Sequence, residues 1–590
     1  MIIQHTADSK LVLFNPETVQ ERKKLMAFPG LTTHGLQFYC PNEPNLVYNL
    51  YSRLQKKIKD IKYTPAIKKI LEEPMKIREL PPDFNFHTEP LKHQRIALRF
   101  AYSFGSFMNL SEPGLGKTKV TLDYIWLMKF VKSIIVCPKP LRFVWIDEAA
   151  IHRPELKVYV VETTDWELEK EDVMNADVVV INYDKAVSLE KHLESLKAEF
   201  LAVDEGLIKN PTTERTKALT RLSKSIPYKC VMSGTLVNNS PLDIFAPTRF
   251  TQPCLTGEAF GKFRDEYAIV SRHNRFITVG YKNVDEVKEI LNSCSIIMTK
   301  AEWLDLPPKE FHRIYVQMGD QQRDYYQKLA SNYLLQIPEQ NIEIEVDNPL
   351  SVLIKLNQIS NGFVYYKENA EESLAELYGK EGKAKKTPRK QYIFPEQPKA
   401  EALIKLINEP KFNTYEGEVA NKGTRAIIWY NLAAELEIIT RALDLDGRTY
   451  LTVSGGTKDI PSIVKKFNTD PNIQFLVCQA KTINYGVTIL GAVKKGKEES
   501  DEGDLVVMPG FDKRVSDQIF YSANFSLEVF LQQQDRIHRI GQTRKCRYWM
   551  LLTNSKIERS IADRLELKLL CNKEILVDIV SSLGEKLLED

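Results

Sequence analysis

The sequence predicts an α/β fold: two parallel-sheet lobes in tandem, a small N-terminal α+β domain, and a helical insertion between the lobes. Three observations predict it. Short apolar runs recur in two separate blocks, longer amphipathic segments alternate with them, and one junction between the two carries a glycine-lysine-threonine loop. Apolar runs of this length suit strands buried on both faces, and strands alternating with helices build a parallel sheet.

The first block holds the runs Phe107–Leu110, Ile134–Pro138, Val178–Tyr183, Leu201–Glu205 and Cys230–Gly234. The second holds Ala426–Tyr430, Tyr450–Ser454, Phe475–Gln479, Gln518–Ser522 and Tyr548–Thr553. Val120–Phe130, Leu432–Leu445 and Ile460–Phe467 have the apolar spacing of helices. The organisation reads as residues 1–88, an N-terminal domain; 89–250, the first lobe; 251–396, a mostly helical insertion and linker; and 397–590, the second lobe with C-terminal helices. Residues 367–396 are rich in Lys, Glu and Ala and read as a solvated linker, and 494–514 as a polar insertion.

At 590 residues, with about 150 per domain, the chain suits roughly four such parts. Its 81 basic and 78 acidic residues leave a net charge of +3, so any basic surface is local. Arg53–Arg78 is such a place, with nine basic residues against three acidic and Tyr63 among them. No apolar run is long enough to span a membrane, and Met1–His5 does not open a secretory leader. The eight cysteines include no CxxC pair, which argues against a zinc module or disulfide framework and fits a reducing compartment. The expected location is cytoplasmic in a bacterium or phage-infected cell, or nuclear in a eukaryote.

The chemistry starts at Ser111-Glu112-Pro113-Gly114-Leu115-Gly116-Lys117-Thr118, between an expected strand and an expected helix. Glycines let backbone N–H groups close around phosphates, and the helix N-terminus adds partial positive charge. Lys117 reaches the β- and γ-phosphates, and the Thr118 hydroxyl can ligate Mg²⁺. At the end of a later strand, Asp204 would hold Mg²⁺ and Glu205 would orient or deprotonate the attacking water. Phosphoryl transfer also needs positive charge beyond the γ-phosphate. Arg536 and Arg539, three apart and so on one face of a helix, would supply it as arginine fingers.

These residues together resemble the SNF2 branch of superfamily 2 DNA-dependent ATPases, over about residues 90–570. Leu91-Lys92-His93-Gln94 is similar to the adenine-sensing segment, with Gln94 as base reader. Gly114–Thr118 is similar to motif I and Ile135–Pro138 to motif Ia. Asp204-Glu205-Gly206-Leu207-Ile208-Lys209-Asn210 is similar to the D-E-A-H-x-x-K-N string, and Ser233-Gly234-Thr235 with Asn239 to the coupling motif III. In the second lobe, Ile427–Tyr430 falls at motif IV, Ser454–Thr457 just after it, Gly486-Val487-Thr488 at motif V, and Gln534–Gln542 at motif VI. Leu306-Pro307-Pro308-Lys309 is also family-like. Gly206-Leu207, Ser111 and Leu236-Val237-Asn238 depart from the pattern at positions concerned with coupling ATP to DNA.

The resemblance implies two RecA-like lobes, ATP and Mg²⁺ as cofactors, Gly486 among the nucleotide contacts, and DNA as partner. Its DNA grips would be Pro138, Lys139, Asn182, Tyr183, Lys209 and Asn210 in the first lobe. In the second they would be Trp429, Ser454, Thr457, Lys481 and Thr482. Asn15–Leu54 resembles the small HARP-type substrate domain of annealing helicases. The expected function is therefore ATP-driven remodelling of branched or forked DNA and its single-strand/duplex junctions. A duplex translocase that displaces bound proteins and a non-catalytic DNA-binding scaffold are the alternatives.

Overall fold

The structure, a computed structural model, describes residues 1–563 apart from 7–10, 28–30, 35–36, 42–43, 73–76, 207, 209, 235–239, 258, 272–277, 333, 338–341, 347–348, 367–389, 416–417, 420–423, 458, 483–488, 490–492, 495–504, 507–514, 523–525 and 541. It divides into two compact units, Met1–Asp305 and a second beginning at Leu306. The stretch 251–396 is shared between them. Most of the expected linker and of the 494–514 insertion lies outside the described residues.

The first unit opens with a five-stranded sheet in the order Thr32–His34, Gln37–Pro41, Leu11–Asn15, Ile2–His5, Lys62–Tyr63. Its main sheet has seven strands: β1 (Phe107–Asn109), β2 (Ser133–Cys137), β3 (Val158–Val160), β4 (Val178–Asn182), β5 (Phe200–Val203), β6 (Tyr228–Met232) and β7 (Ser295–Ile296). They lie in the order β7-β1-β6-β5-β2-β4-β3, and every pair is parallel. Val178, Val179, Val180 and Ile181 are all fully buried, as β-branched residues are in a strand covered on both faces. Helices α1 (Lys92–Phe104), α2 (Lys117–Met128) and α3 (Arg142–His152) flank the sheet. One apolar core runs from Ile3 and Phe14 of the N-terminal sheet and Ile67 of the helix Pro65–Glu72 to Val136, Leu201 and Val231 of the main sheet.

The second unit is built on β8 (Lys309–Val316), β9 (Ala426–Tyr430), β10 (Tyr450–Val453), β11 (Phe475–Gln479), β12 (Asp517–Phe520) and β13 (Cys546–Thr553). The order is β8-β13-β12-β9-β11-β10, again all parallel. Alternate residues feed two cores, Ile427, Leu476 and Phe520 on one face, Ile428, Val477 and Ile519 on the other. The fold class is thus the expected one.

The region read as mostly helical also holds strands, the longest of them in the second sheet. Lys309–Val316 sits in a region read as mostly helical, yet it is a strand paired with β13 along all eight residues. Pro307-Pro308 blocks a helix, and KEFHRIYV has strand chemistry, but its partner lies more than 200 residues downstream.

Candidate nucleotide site

The register of the first sheet sets the site. Asn109 lies beside Met232, Val231 beside Val203, and Val203 beside Val136. The residues that follow these strands therefore emerge along one carboxyl edge, where open α/β sheets bind ligands. They are the Ser111–Thr118 loop after β1, Ser233-Gly234 after β6, and Asp204-Glu205 after β5.

The loop turns through Gly114 (φ 88°) and Gly116 (φ 79°), a backbone region that L side chains rarely adopt. A Cβ on Gly116 would also run into the Gln94 amide. Lys117 opens α2 and its Nζ donates to the Ser111 carbonyl at 2.7 Å. Segment 91–94 holds the loop from behind. Gln94 Nε2 donates to the Leu115 carbonyl at 3.4 Å, and its Oε1 accepts from Leu91 N at 3.0 Å. His93 Nε2 meets the same carbonyl at 3.0 Å. Burial lowers the His93 pKa, so the ring is neutral with its proton on Nε2, the tautomer that can donate to a carbonyl. Gln94, expected to read the base, is thus engaged in bracing the loop. Glu112 accepts from Lys300 N at 2.8 Å, and Pro113 faces Gly234 so closely that a Cβ there would lie 2.6 Å from Pro113 Cδ. Glycine at 234 lets the expected coupling segment touch the phosphate loop.

Asp204 is only 8% exposed. Burial first, and the neighbouring Glu205 charge second, push its carboxyl up to about 7, while Lys117 pulls it back. Glu205 N donates to Asp204 Oδ1 at 2.9 Å, and the Trp145 indole hydrogen-bonds the same carboxylate. Tyr183 OH donates to the Asp204 carbonyl at 2.6 Å. Glu205 sits at φ 57°, a strained conformation for a non-glycine residue. Thr118 and Asp204 offer the oxygen donors that Mg²⁺ prefers, and a buried carboxylate held by neutral donors fits a cation better than it fits isolation. Trp145 carries no motif signal in the sequence; its position on α3 shows only in the fold.

In the second unit, Arg536 and Arg539 lie beyond the end of α4 (Leu527–Gln534), in the turn that follows it, so they do not share a helical face as expected. Ile537, between them, is fully buried. Arg536 Nε donates to the Gln532 carbonyl at 3.0 Å. Gln542 pins the segment through the Val515 and Ile537 carbonyls, both at 3.1 Å. The Leu-Pro-Pro-Lys segment docks here too: His538 Nε2 reaches the Pro307 carbonyl at 3.0 Å and Lys309 Nζ reaches Gln534 Oε1 at 3.1 Å.

The expected DNA grips divide. Trp429 is 1% exposed and lies inside one core of the second sheet, packed with Ile427, Leu476 and Phe520, so it cannot touch DNA. Tyr183, Asn182 and Pro138 are also buried, with Tyr183 committed to Asp204. Lys139, Asn210 and Lys481 are exposed. Gln479, which the motifs do not mark, ties the 454–457 turn to the expected grip Thr482: its Oε1 accepts from Gly455 N at 2.9 Å and from Thr482 Oγ1 at 3.1 Å. Thr457 Oγ1 in turn accepts from Ser454 N at 2.9 Å. Lys209, Thr235, Asn239 and Gly486 lie outside the described residues.

Residues 93–363, just under half of the chain, match the model of the SNF2-related domain. This stretch is therefore similar to an SNF2-related domain. Among curated relatives, TATA-binding protein-associated factor MOT1 of Saccharomyces cerevisiae is 23% identical over 498 residues, 76% of this chain and 25% of that protein. The ISWI chromatin-remodeling complex ATPase ISW1 of the same yeast is 21% identical over 492 residues, 80% of this chain and 39% of that protein. The chain therefore spans between a quarter and two fifths of their length. A solved Sulfolobus solfataricus SWI2/SNF2 ATPase core in complex with dsDNA has 20% identity and a TM-score of 0.37, covering 86% of this chain and 96% of that one. The matched stretch takes in the phosphate loop, Asp204-Glu205 and the 233–239 segment.

The basic stretch of the N-terminal domain is partly spoken for. Arg53 is buried, Lys57 pairs with Glu266 and Glu286, and Lys56 pairs with Glu289 at 2.6 Å. Lys59, Lys62, Lys68 and Lys69 remain exposed around Tyr63.

Proposed function

We propose that this chain is an ATP-hydrolysing motor that moves along duplex DNA and uses that movement to displace or remodel what is bound there. The observation that carries the reading is the assembly on one sheet edge of Lys117, Asp204, Glu205 and the Gly234–Pro113 contact, inside the stretch similar to an SNF2-related domain. Lys117 binds the β- and γ-phosphates together with the loop N–H groups. Mg²⁺, held by Thr118 and Asp204, would neutralise charge on the triphosphate. Glu205 orients the attacking water and accepts its proton. Arg536 and Arg539 stabilise the charge that develops on the transferred phosphoryl group. Closure around phosphate then reaches Ser233-Gly234 through Pro113. Exposed Lys139, Asn210, Lys481 and the Gly455-Gly456 turn hold DNA by its backbone, without reading sequence.

The names of the relatives, a chromatin-remodeling complex ATPase and a factor associated with TATA-binding protein, favour action on DNA-bound proteins. A second reading, remodelling of branched DNA, is favoured by the exposed lysines around Tyr63, since basic and aromatic residues together suit single-stranded junctions. ATP turnover measured without DNA and with single strands, blunt duplex, forks and four-way junctions tests both. Stimulation by blunt duplex equal to that by forks supports the first reading. A fork preference supports the second. No stimulation by any DNA, with wild-type turnover in Lys117→Ala, would return the chain to the scaffold alternative.

A further inference from the structure

We propose that Arg53, in the N-terminal domain, is a positioning residue for hydrolysis at the phosphate loop. The proposal rests on the ATPase reading above. Arg53 lies on the helix Pro44–Gln55 and is fully buried. Its Nη1 donates to the Leu255 carbonyl at 2.9 Å and its Nη2 to Tyr267 OH at 3.0 Å. Tyr267 OH donates onward to Glu286 Oε2 at 3.3 Å. One turn along the chain, Lys57 pairs with Glu266 and Glu286, and Asn49 Nδ2 donates to the Glu289 carbonyl at 3.2 Å. The guanidinium thus ties three helices of the region after β6, 253–256, 260–267 and 284–294, to the N-terminal domain.

From Tyr267 the contacts run inward. Its ring meets Phe263 at 4.6 Å, and Phe263 meets Phe245 at 5.3 Å. Phe245 opens the helix Phe245–Thr251, which packs against β1 and β6. Gln252, the cap of that helix, donates through Nε2 to the Ser106 carbonyl at 2.9 Å, just before β1. β1 leads into the phosphate loop and β6 into Ser233-Gly234. A rigid chain of rings and hydrogen bonds therefore joins Arg53 to the two strands whose ends bear the loop and its Gly234 neighbour. Packed interiors transmit such shifts because they do not deform continuously. A buried guanidinium is tolerable only where hydrogen-bond partners such as the Leu255 carbonyl and the Tyr267 hydroxyl surround it.

Two substitutions separate positioning from bulk stability. Arg53→Met removes the donors. Tyr267→Phe keeps the ring and removes only the hydroxyl that links Arg53 to Glu286. In variants of the full chain shown by circular dichroism to be folded at the assay temperature, kcat for duplex-stimulated hydrolysis should fall by about fivefold to thirtyfold, with KM for ATP within about twofold of wild type. The double variant should be no slower than Arg53→Met, because both break one linkage, and Arg53→Lys should recover part of the rate. Should Arg53→Met fail to fold, Tyr267→Phe decides alone. Wild-type kcat in folded variants, a change confined to KM, or losses that multiply in the double variant would overturn the role. A wild-type protein without DNA-stimulated turnover would overturn the ATPase reading beneath it; an active wild type with unaffected variants overturns the role of Arg53 alone.

Discussion

Asp204 and Asp517 are both carboxylates sealed inside a parallel sheet, one in each unit, and they are held in opposite ways. Asp517 begins β12 with a full set of partners. Arg547 Nε lies 2.8 Å from its Oδ1, Trp549 Nε1 donates at 2.9 Å, and Ser516 Oγ donates at 3.0 Å. Burial pushes its pKa up and Arg547 pulls it back. Asp204 follows β5, also meets an indole, but has the like charge of Glu205 next to it and shares Lys117 with the phosphate loop. The first arrangement is a finished structural ion pair. The second keeps a carboxylate short of positive charge at the edge where a nucleotide and its cation would bring it. Strain in the Glu205 backbone points the same way, since such conformations persist where the surroundings impose them.

The sharpest way to break that comparison is to neutralise each carboxylate in turn. Asp204→Asn should abolish DNA-stimulated ATP turnover, as should Lys117→Ala, with circular dichroism unchanged. Asp517→Asn should leave kcat per folded molecule near wild type. Equal losses of kcat at both positions would erase the distinction. Next in size, Arg539→Ala should lower kcat by on the order of 10³-fold or more while nucleotide affinity, measured by fluorescent-nucleotide titration, stays close to wild type. Arg547→Met tests the structural side. Leaving Asp517 buried without its cation should cost about 3–5 kcal/mol in urea unfolding of the second unit.

Much of this was legible in the sequence because it is local. Each of the ten apolar runs overlaps an observed strand, and Gly114, Gly116 and Lys117 lie where a strand-loop-helix pattern needs them. What was not legible is long-range. β8 reads as a strand only once β13 is beside it. The resemblance at motif IV made Trp429 an expected grip, but its strand is buried on both faces and places it inside a core. The basic run at Arg53–Arg78 looked like one surface, yet Arg53 is buried against the Leu255 carbonyl and the Tyr267 hydroxyl, and Lys56 and Lys57 pair with acids some 200 residues away. Trp145 and Gln479 carry no motif at all; only the fold brings them to Asp204 and to the 454–457 turn.

The pH dependence of stability sharpens the comparison further. Asp204 has a folded pKa of about 7, above its ordinary 3.8, so the fold favours the protonated form. The folded chain then binds more protons than the unfolded chain between those values, and stability falls as pH rises through that window. Asp204→Asn removes the term. In the presence of EDTA, its melting midpoint should match wild type near pH 4 and exceed it at pH 8, by the equivalent of at most about 4 kcal/mol at about 1.4 kcal/mol for each pH unit. A variant that gains nothing at pH 8 would mean Asp204 is as well compensated as Asp517.

The smallest effect concerns the contact that would let the phosphate loop signal. A Cβ on Gly234 would lie 2.6 Å from Pro113 Cδ, and a proline ring cannot swing aside as a flexible side chain does. Gly234→Ala must therefore push the 233–234 segment away from the loop. Overpacking of this kind costs about 1–3 kcal/mol, read as a modest drop in melting temperature. The informative readout is the ratio of turnover with and without duplex DNA. If the Gly234–Pro113 contact carries the coupling, that ratio should fall while DNA-independent turnover holds. If both rates fall together, the glycine serves packing at the loop, and coupling runs through residues other than this pair.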